Sequence, residues 1–472
     1  LRAKLFQNLS ANTLQLLINQ LCGLVIFYLL STRLDKSGFG QLNLALAIML
    51  VAFNLLSFGI DQVTVRKVAM GDDAGELLSL YLGHVLITGI LFYAVLLTCS
   101  ILIPLHTGLY AVLLVIGAGK LMIYFSTPFK QVTGGLEKFR VQAGMLVVCN
   151  VTRTLVLIAL ALFHSITLQA ALLAFAFGDL LECIACIWLF RARIKVPVTI
   201  RWQKMKYLQL LKEALPQTGV VIITSAIARF DWIFIGVMLS SVKLAEYSFA
   251  YKVFEISTLP LLAIAPLLLP WLTRVFRDGQ ADPDSLGFLM RMEFVVAVLT
   301  GLVLNILWVP VVDLVTAGKY GAVNVHTVFF LSLCIPFLYL NNFLWTIYFA
   351  QGRMRMILTG FILTFSVNVS LDLLLIPYFK NEGAAIAFLG ACAAQTVFYL
   401  RQDGAQVLGH AWQSLLTCMA CALLSGWVAT RCFTGYPAIL AFALLTCTVL
   451  LVLTGQLRLK DQRLLNTIFN SR

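Results

Sequence analysis

An all-α polytopic membrane protein of about fourteen transmembrane helices is the fold class this sequence predicts, on three observations. Of its 472 residues 61% are hydrophobic and 12% charged, with a mean hydropathy of +0.93. Soluble domains average about 45–50% apolar and about 25% charged residues, so both figures point to the membrane. Apolar runs of about 20 residues, the length that crosses a bilayer, recur along the chain. Alternating the intervening loops between two sides also sorts Lys and Arg, which favour the N-terminal side roughly four to one. By the positive-inside rule both termini are cytoplasmic, and the net charge of +13 reflects topology rather than nucleic-acid binding.

Six spans occupy residues 11–31, 40–58, 78–103, 109–127, 141–163 and 166–190. The first follows Arg2 and Lys4 as a signal peptide would, yet no small-residue cleavage site leads into a soluble domain, so it reads as a helix that stays. The second leads to the basic pair Arg66 and Lys67, and the fourth to Lys130, Lys138 and Arg140, all placed in cytoplasmic loops. The longest cytoplasmic loop, residues 191–213, ends in TIRWQKMKYLQLLKE and runs on into Ala214-Leu215 of the next span. Its Trp202, Met205, Leu208 and Leu211 recur every three residues among lysines, which predicts an amphipathic helix lying in the interface.

Six further spans follow at 214–240, 246–271, 287–310, 325–350, 356–377 and 383–400, then two at 411–431 and 436–456 that carry almost no internal charge. The expected organisation is an N-terminal six-helix lobe (1–190), the amphipathic linker (191–213), a C-terminal six-helix lobe (214–401), and two extra helices with a basic tail (402–472). Because six is even, both lobes start on one side of the membrane, which makes them parallel repeats. Gly40-Gln41-Leu42-Asn43-Leu44-Ala45, opening span 2, aligns loosely with Ala245-Glu246-Tyr247-Ser248-Phe249-Ala250, opening span 8. Pro260, Pro266 and Pro270 in span 8 and Pro336 in span 10 permit bends, since proline removes a helical hydrogen bond. Outer loops are short, the longest covering residues 311–324, which leaves no room for an extracytoplasmic catalytic domain.

Ionisable groups within spans are the candidates for function, because charge in hydrocarbon is costly and faces a bundle interior or a wet cavity. Lys120, Arg153, Arg229 and Lys252 lie in a similar middle-to-outer layer across both halves. Several cations at one depth suit a polyanionic headgroup, with guanidinium offering phosphate a planar fork of donors and lysine a point charge. The competing reading pairs each cation with a carboxylate that only holds helices together. Lys252 and Glu255, at i and i+3, fit it directly. Arg229 and Asp231, at i and i+2, need partners on other helices, and Asn150 stands one turn before Arg153. Asp179 and Glu182 share a face of span 6, either as an acid pair for proton or cation coupling or as partners for Arg153 or Lys120. Asn368 and Asp372 read as interhelical glue.

Other signals fade. Gly117-Ala118-Gly119-Lys120 lacks the remaining glycine and the Ser or Thr of a phosphate loop, so no nucleotide site is expected and any energy source is a gradient. Cys183-x-x-Cys186 and Cys418-x-x-Cys421 sit in apolar spans without histidine support, and the five histidines are scattered, so neither a metal nor another cofactor is expected.

Gly38-Phe39-Gly40, Phe58-Gly59-Ile60-Asp61 followed by Arg66, Gly134-Gly135-Leu136-Glu137-Lys138, and Phe230-Asp231 through Tyr247 to Pro266 and Pro270 carry a family resemblance. Over spans 1–12 the chain resembles the polysaccharide transporter branch, the Wzx-like flippases, of the multidrug/oligosaccharidyl-lipid/polysaccharide exporter superfamily. Ala245 stands where a glycine is common in the family, and Glu246 precedes Tyr247. The resemblance implies two six-helix lobes around a cationic cavity and passage of a polyprenyl (undecaprenyl-type) pyrophosphate-linked oligosaccharide to the outer leaflet. Lys120, Arg153, Arg229 and Lys252 match the family as cavity cations without a fixed motif. A lipid II flippase is a close variant, but those flippases resemble one another in an arginine in span 1, and this chain has no cation between Lys4 and Arg33. A cation-coupled drug or metabolite exporter and a membrane glycosyltransferase or polymerase are the alternatives. The helix number and the excess of cations argue against the exporter, the short outer loops against the enzyme.

Overall fold

The computed structural model describes residues 2–102, 108–198, 201–261, 272, 276, 283–402 and 410–458. Among them there is no strand. The helices are α1 (Arg2–Arg33), α2 (Lys36–Ser57), α3 (Ile60–Ala69), α4 (Ala74–Leu102), α5 (Leu109–Gly135), α6 (Phe139–Leu162) and α7 (Leu168–Arg193). Then come α8 (Lys204–Met238), α9 (Ser241–Ser257), α10 (Pro283–Thr316), α11 (Val325–Ala350), α12 (Met354–Leu400), α13 (Ala411–Cys432) and α14 (Tyr436–Leu453).

Twelve helices among the described residues are long and apolar enough to cross a membrane. The 47-residue α12 counts once among these, yet Lys380 (φ 52°, ψ −129°) breaks it into the two arms expected as spans 11 and 12. The turn between them is tight: a Cβ on Gly383 would stand 2.5 Å from the Leu375 carbonyl, and Leu371 of the first arm lies against Gly390 of the second. Span 8 is described as the 17-residue α9. Its Pro266 and Pro270 lie outside the described residues.

Two expectations need correction. Span 4 is expected at 109–127 with Lys130 in the loop after it, but α5 runs on through Pro128 to Gly135, so Lys130 is buried within the helix. Nor is the amphipathic stretch a separate interfacial helix, since its residues from Lys204 onward are the first turns of α8, continuous with the seventh span. Residues spaced by three fall about 60° short of a full turn at each step, so Met205, Leu208 and Leu211 precess around the helix rather than share a face, and Trp202 precedes it. Met205 and Leu208 are exposed, while Leu210 and Ala214 are buried.

The chain forms two compact units, Leu1–Gly236 and Val237–Arg472. In the first, α5 is central, packing on α2, α3, α4, α6 and α7, with α1 against α6. The break between α2 and α3 places Phe58 (φ 54°) and Gly59 (φ 69°) in the left-handed region. A side chain at Gly59 would be strained and would also meet Gln217 of α8 at 2.9 Å. There Thr218 of α8 donates to the Phe58 carbonyl (2.8 Å), while Asn54 of α2 donates to Ser225 (2.8 Å). Nearby, buried His84 of α4 donates from Nε2 to the Leu56 carbonyl (2.8 Å) and meets the Tyr207 hydroxyl of α8 at Nδ1 (2.9 Å). Trp202 lies on Gly83, where a Cβ would be 2.7 Å from its ring. In the second unit α10 and α11 are central: α10 packs on α9, α11, α13 and α14, and α11 on both α9 and α12.

Candidate functional site

Three helices of the first unit bring their charges to one carboxylate. Asp179 of α7 is fully buried and its Oδ1 accepts from Arg153 Nη2 of α6 and from Cys149 Sγ (3.1 Å). Lys120 Nζ of α5 lies 3.7 Å from Asp179 Oδ2, beyond hydrogen-bond length. The Arg153 guanidinium also covers the Phe175 ring, 4.3 Å from its centroid. Close approach of the helices is possible because two of the facing residues are glycines. A Cβ on Gly119 would stand 2.6 Å from Asp179 Oδ2, and one on Gly178 would stand 2.7 Å from Arg153 Cγ and 3.1 Å from the Cys149 carbonyl.

One helical turn along α7, Glu182 pairs with Lys130 Nζ at 2.8 Å, both side chains buried. Asp179 and Glu182 therefore do not act on each other as an isolated acid pair, because each faces a cation of its own. The Lys130–Glu182 pair is formally neutral, whereas Lys120, Arg153 and Asp179 together have one cation more than anions. Lys120 retains 22% exposure of its side chain, against 8% for Arg153 and 1% for Asp179. The surplus charge thus resides on the member with most access and no hydrogen bond to the carboxylate. Asn150 donates to Asn19 of α1 (3.0 Å) rather than orienting Arg153.

The other expected residues are held differently. Arg229, on α8 of the first unit, places its guanidinium over the Trp232 ring, 4.4 Å from the centroid. Asp231 is buried and accepts from the Trp232 backbone N–H (2.8 Å). In the second unit Lys252 donates to Glu255 at 2.6 Å, the i, i+3 pair its spacing predicted, with both side chains partly exposed. Asn368 donates to Asp372 at 3.0 Å along α12. Lys130 escapes the sequence reading because it falls beyond the apolar run 109–127, whereas the helix continues to Gly135. That reading also missed the Lys243–Glu246 pair at 2.8 Å, whose i, i+3 spacing was available.

The chain has the fold of several solved membrane transporters. A structure titled lipid II flippase MurJ in an inward closed conformation matches with a TM-score of 0.75 at 12% identity, over 94% of this chain and 98% of that one. An inward-facing multidrug resistance MATE family transporter of the MOP superfamily matches with a TM-score of 0.66 at 13% identity, over 84% of this chain and 96% of that one. An outward-facing MATE transporter matches at 0.57 and 14% identity, over 84% and 93%. At such identities the likeness is one of fold. No curated protein sequence matches the chain. Residues 5–276 match the polysaccharide biosynthesis protein family, and the chain belongs to that family. That match takes in Lys120, Arg153, Asp179, Glu182, Arg229, Asp231, Lys252 and Glu255.

Proposed function

We propose that the protein is a flippase that moves a polyprenyl-pyrophosphate-linked oligosaccharide from the cytoplasmic to the outer leaflet for assembly of a cell-surface polysaccharide. The observation that carries this reading is the Lys120–Arg153–Asp179 cluster, with its surplus positive charge on partly exposed Lys120. Arg153 is spent on Asp179 and on the Phe175 face, so its part is to fix the carboxylate and keep Lys120 from being neutralised by it. Lys120 then meets a phosphate oxygen as a point charge. Arg229 and Lys252 act as further cations along the path, with Asp231 and Glu255 setting their charge. Membership of a polysaccharide biosynthesis family supports a glycan cargo, and the pyrophosphate link supplies the anion such cations suit. In this reading the two lobes are parallel repeats working by alternating access, the membrane is the bacterial inner membrane, and both termini face the cytoplasm.

The test is reconstitution in liposomes with a polyprenyl-pyrophosphate oligosaccharide, reading the fraction of glycan that reaches the far leaflet. Wild type is expected to exceed empty liposomes. Lys120→Gln, which leaves the Arg153–Asp179 pair in place, is expected to lose most of that translocation while remaining folded. Wild-type liposomes that move no more glycan than empty ones, yet take up a cationic dye along an ion gradient, would replace this reading with the drug exporter.

A further inference from the structure

Among the described residues, three buried carboxylates are answered by a cation: Asp179 by Arg153 and Lys120, Glu182 by Lys130, Glu246 by Lys243. Glu293 is different. It lies on α10, about 15 Å along the helix from Pro283. It is 4% exposed, and neither of its carboxylate oxygens has a hydrogen-bond partner. Among the described residues no charged side chain acts on it electrostatically, from α9 and α14 no more than from its own helix. From α11 the fully buried Tyr339 comes within electrostatic range. Arg291, two residues earlier on α10, acts on the Cys418 thiol of α13. An ionised carboxylate in this place would have given up its water for nothing.

We propose that Glu293 is a proton-binding site of the transport cycle, protonated in this conformation and emptied when the packing around α10 opens to water. The O–H bond breaks, its electron pair stays on the carboxylate and the proton passes to water on one side. Reprotonation from water on the other side restores the neutral group. Pro336, one turn before Tyr339 on α11, leaves a helical carbonyl without its usual donor and gives α11 a point at which to bend away. Partnered acids such as Asp179 and Glu182 are poorly suited to this task, because losing or gaining a proton there would unbalance an ion pair. The inference rests on the transporter reading above and deepens it by naming the coupling ion.

Two measurements on the full chain in liposomes separate the possibilities. The first is an infrared pH titration that follows the carbonyl stretch of protonated carboxylic acids. Wild type is expected to keep such a band at neutral pH and to lose it in alkali. Glu293→Gln, the isosteric neutral variant, is expected to lack that band, and Glu293→Asp to regain it. A Glu293→Gln spectrum with the band intact would overturn the proposal. The second is translocation of the lipid-linked oligosaccharide with and without an imposed pH gradient. The gradient is expected to speed wild type severalfold and to leave the rate of Glu293→Gln unchanged. Wild-type translocation indifferent to the gradient would sink the coupling role while the flippase reading stands. A wild type that moves no glycan counts against the flippase reading alone, since the infrared arm tests the proton site whatever the cargo.

Discussion

At the scale of single residues, Asp179 shows how one carboxylate can be both anchor and organiser. Removing Arg153 leaves that carboxylate buried beside a lysine too far away to hydrogen-bond it. Breaking a buried pair from one side costs about 3–5 kcal/mol, so Arg153→Ala is expected to lower the thermal unfolding midpoint in detergent sharply. Arg153→Met combined with Asp179→Leu removes both charges and is expected to recover much of the loss. Lys120→Gln, by contrast, is expected to shift the midpoint little, since its interaction is longer and partly exposed. Gly178→Ala forces a methyl against the Arg153 side chain and the Cys149 carbonyl, an overpacking expected to cost about 1–3 kcal/mol in the same assay. The sequence made the pairing of Asp179 and Glu182 on one face legible, since i and i+3 is a local relation. Which cations they meet was half legible: Lys120 and Arg153 stand within spans as possible partners, but Lys130 falls beyond the apolar run that ends at 127, where the helix continues through Pro128. A proline after several turns of helix removes one hydrogen bond, and a neighbouring helix packed on the same stretch keeps the helix going regardless.

Among elements, α8 differs most from its sequence pattern. Hydropathy divides it into a polar leader and a span, because hydropathy records side chains and not the continuity of the backbone. What joins them is a set of long-range contacts that no window detects: His84 with Tyr207, Trp202 on Gly83, and Thr218 on the carbonyl at the α2–α3 break. His84→Phe and Tyr207→Phe, made singly and together, are expected to couple by about 0.5–1.5 kcal/mol in a double-mutant cycle of thermal unfolding. Strict additivity would mean that the imidazole and phenol do not depend on each other. The short helix α3 also escaped notice, although its signal was present in Phe58-Gly59-Ile60-Asp61. Two successive left-handed residues need a glycine in one place, and Ser57 donates to Asp61 at 3.1 Å across the break. The motif quoted for its family resemblance is thus a turn against which α8 packs.

For the molecule as a whole, the spans were legible because each is an almost uninterrupted apolar run of bilayer length, and that constraint acts on every helix independently. The orientation rests on the distribution of Lys and Arg and can be checked with a native residue. Cys432 is the exposed cysteine, whereas the other ten are buried or partly so. It stands at the end of α13, on the side assigned to the exterior. A membrane-impermeant maleimide is expected to label it in intact cells, with labelling abolished in Cys432→Ser. Labelling that requires permeabilised cells would invert the topology. The cluster at Asp179 has a consequence for how the chain enters the bilayer. A charge at the middle of a helix raises its insertion free energy by about 2.5–3.5 kcal/mol, and α5, α6 and α7 each contribute such a group. Emerging singly from the translocation channel, α5 and α6 would each carry a cation whose counter-charge has yet to be synthesised. The first unit is therefore built to release its middle helices as a group, with α7 as the helix whose arrival lets the two before it leave.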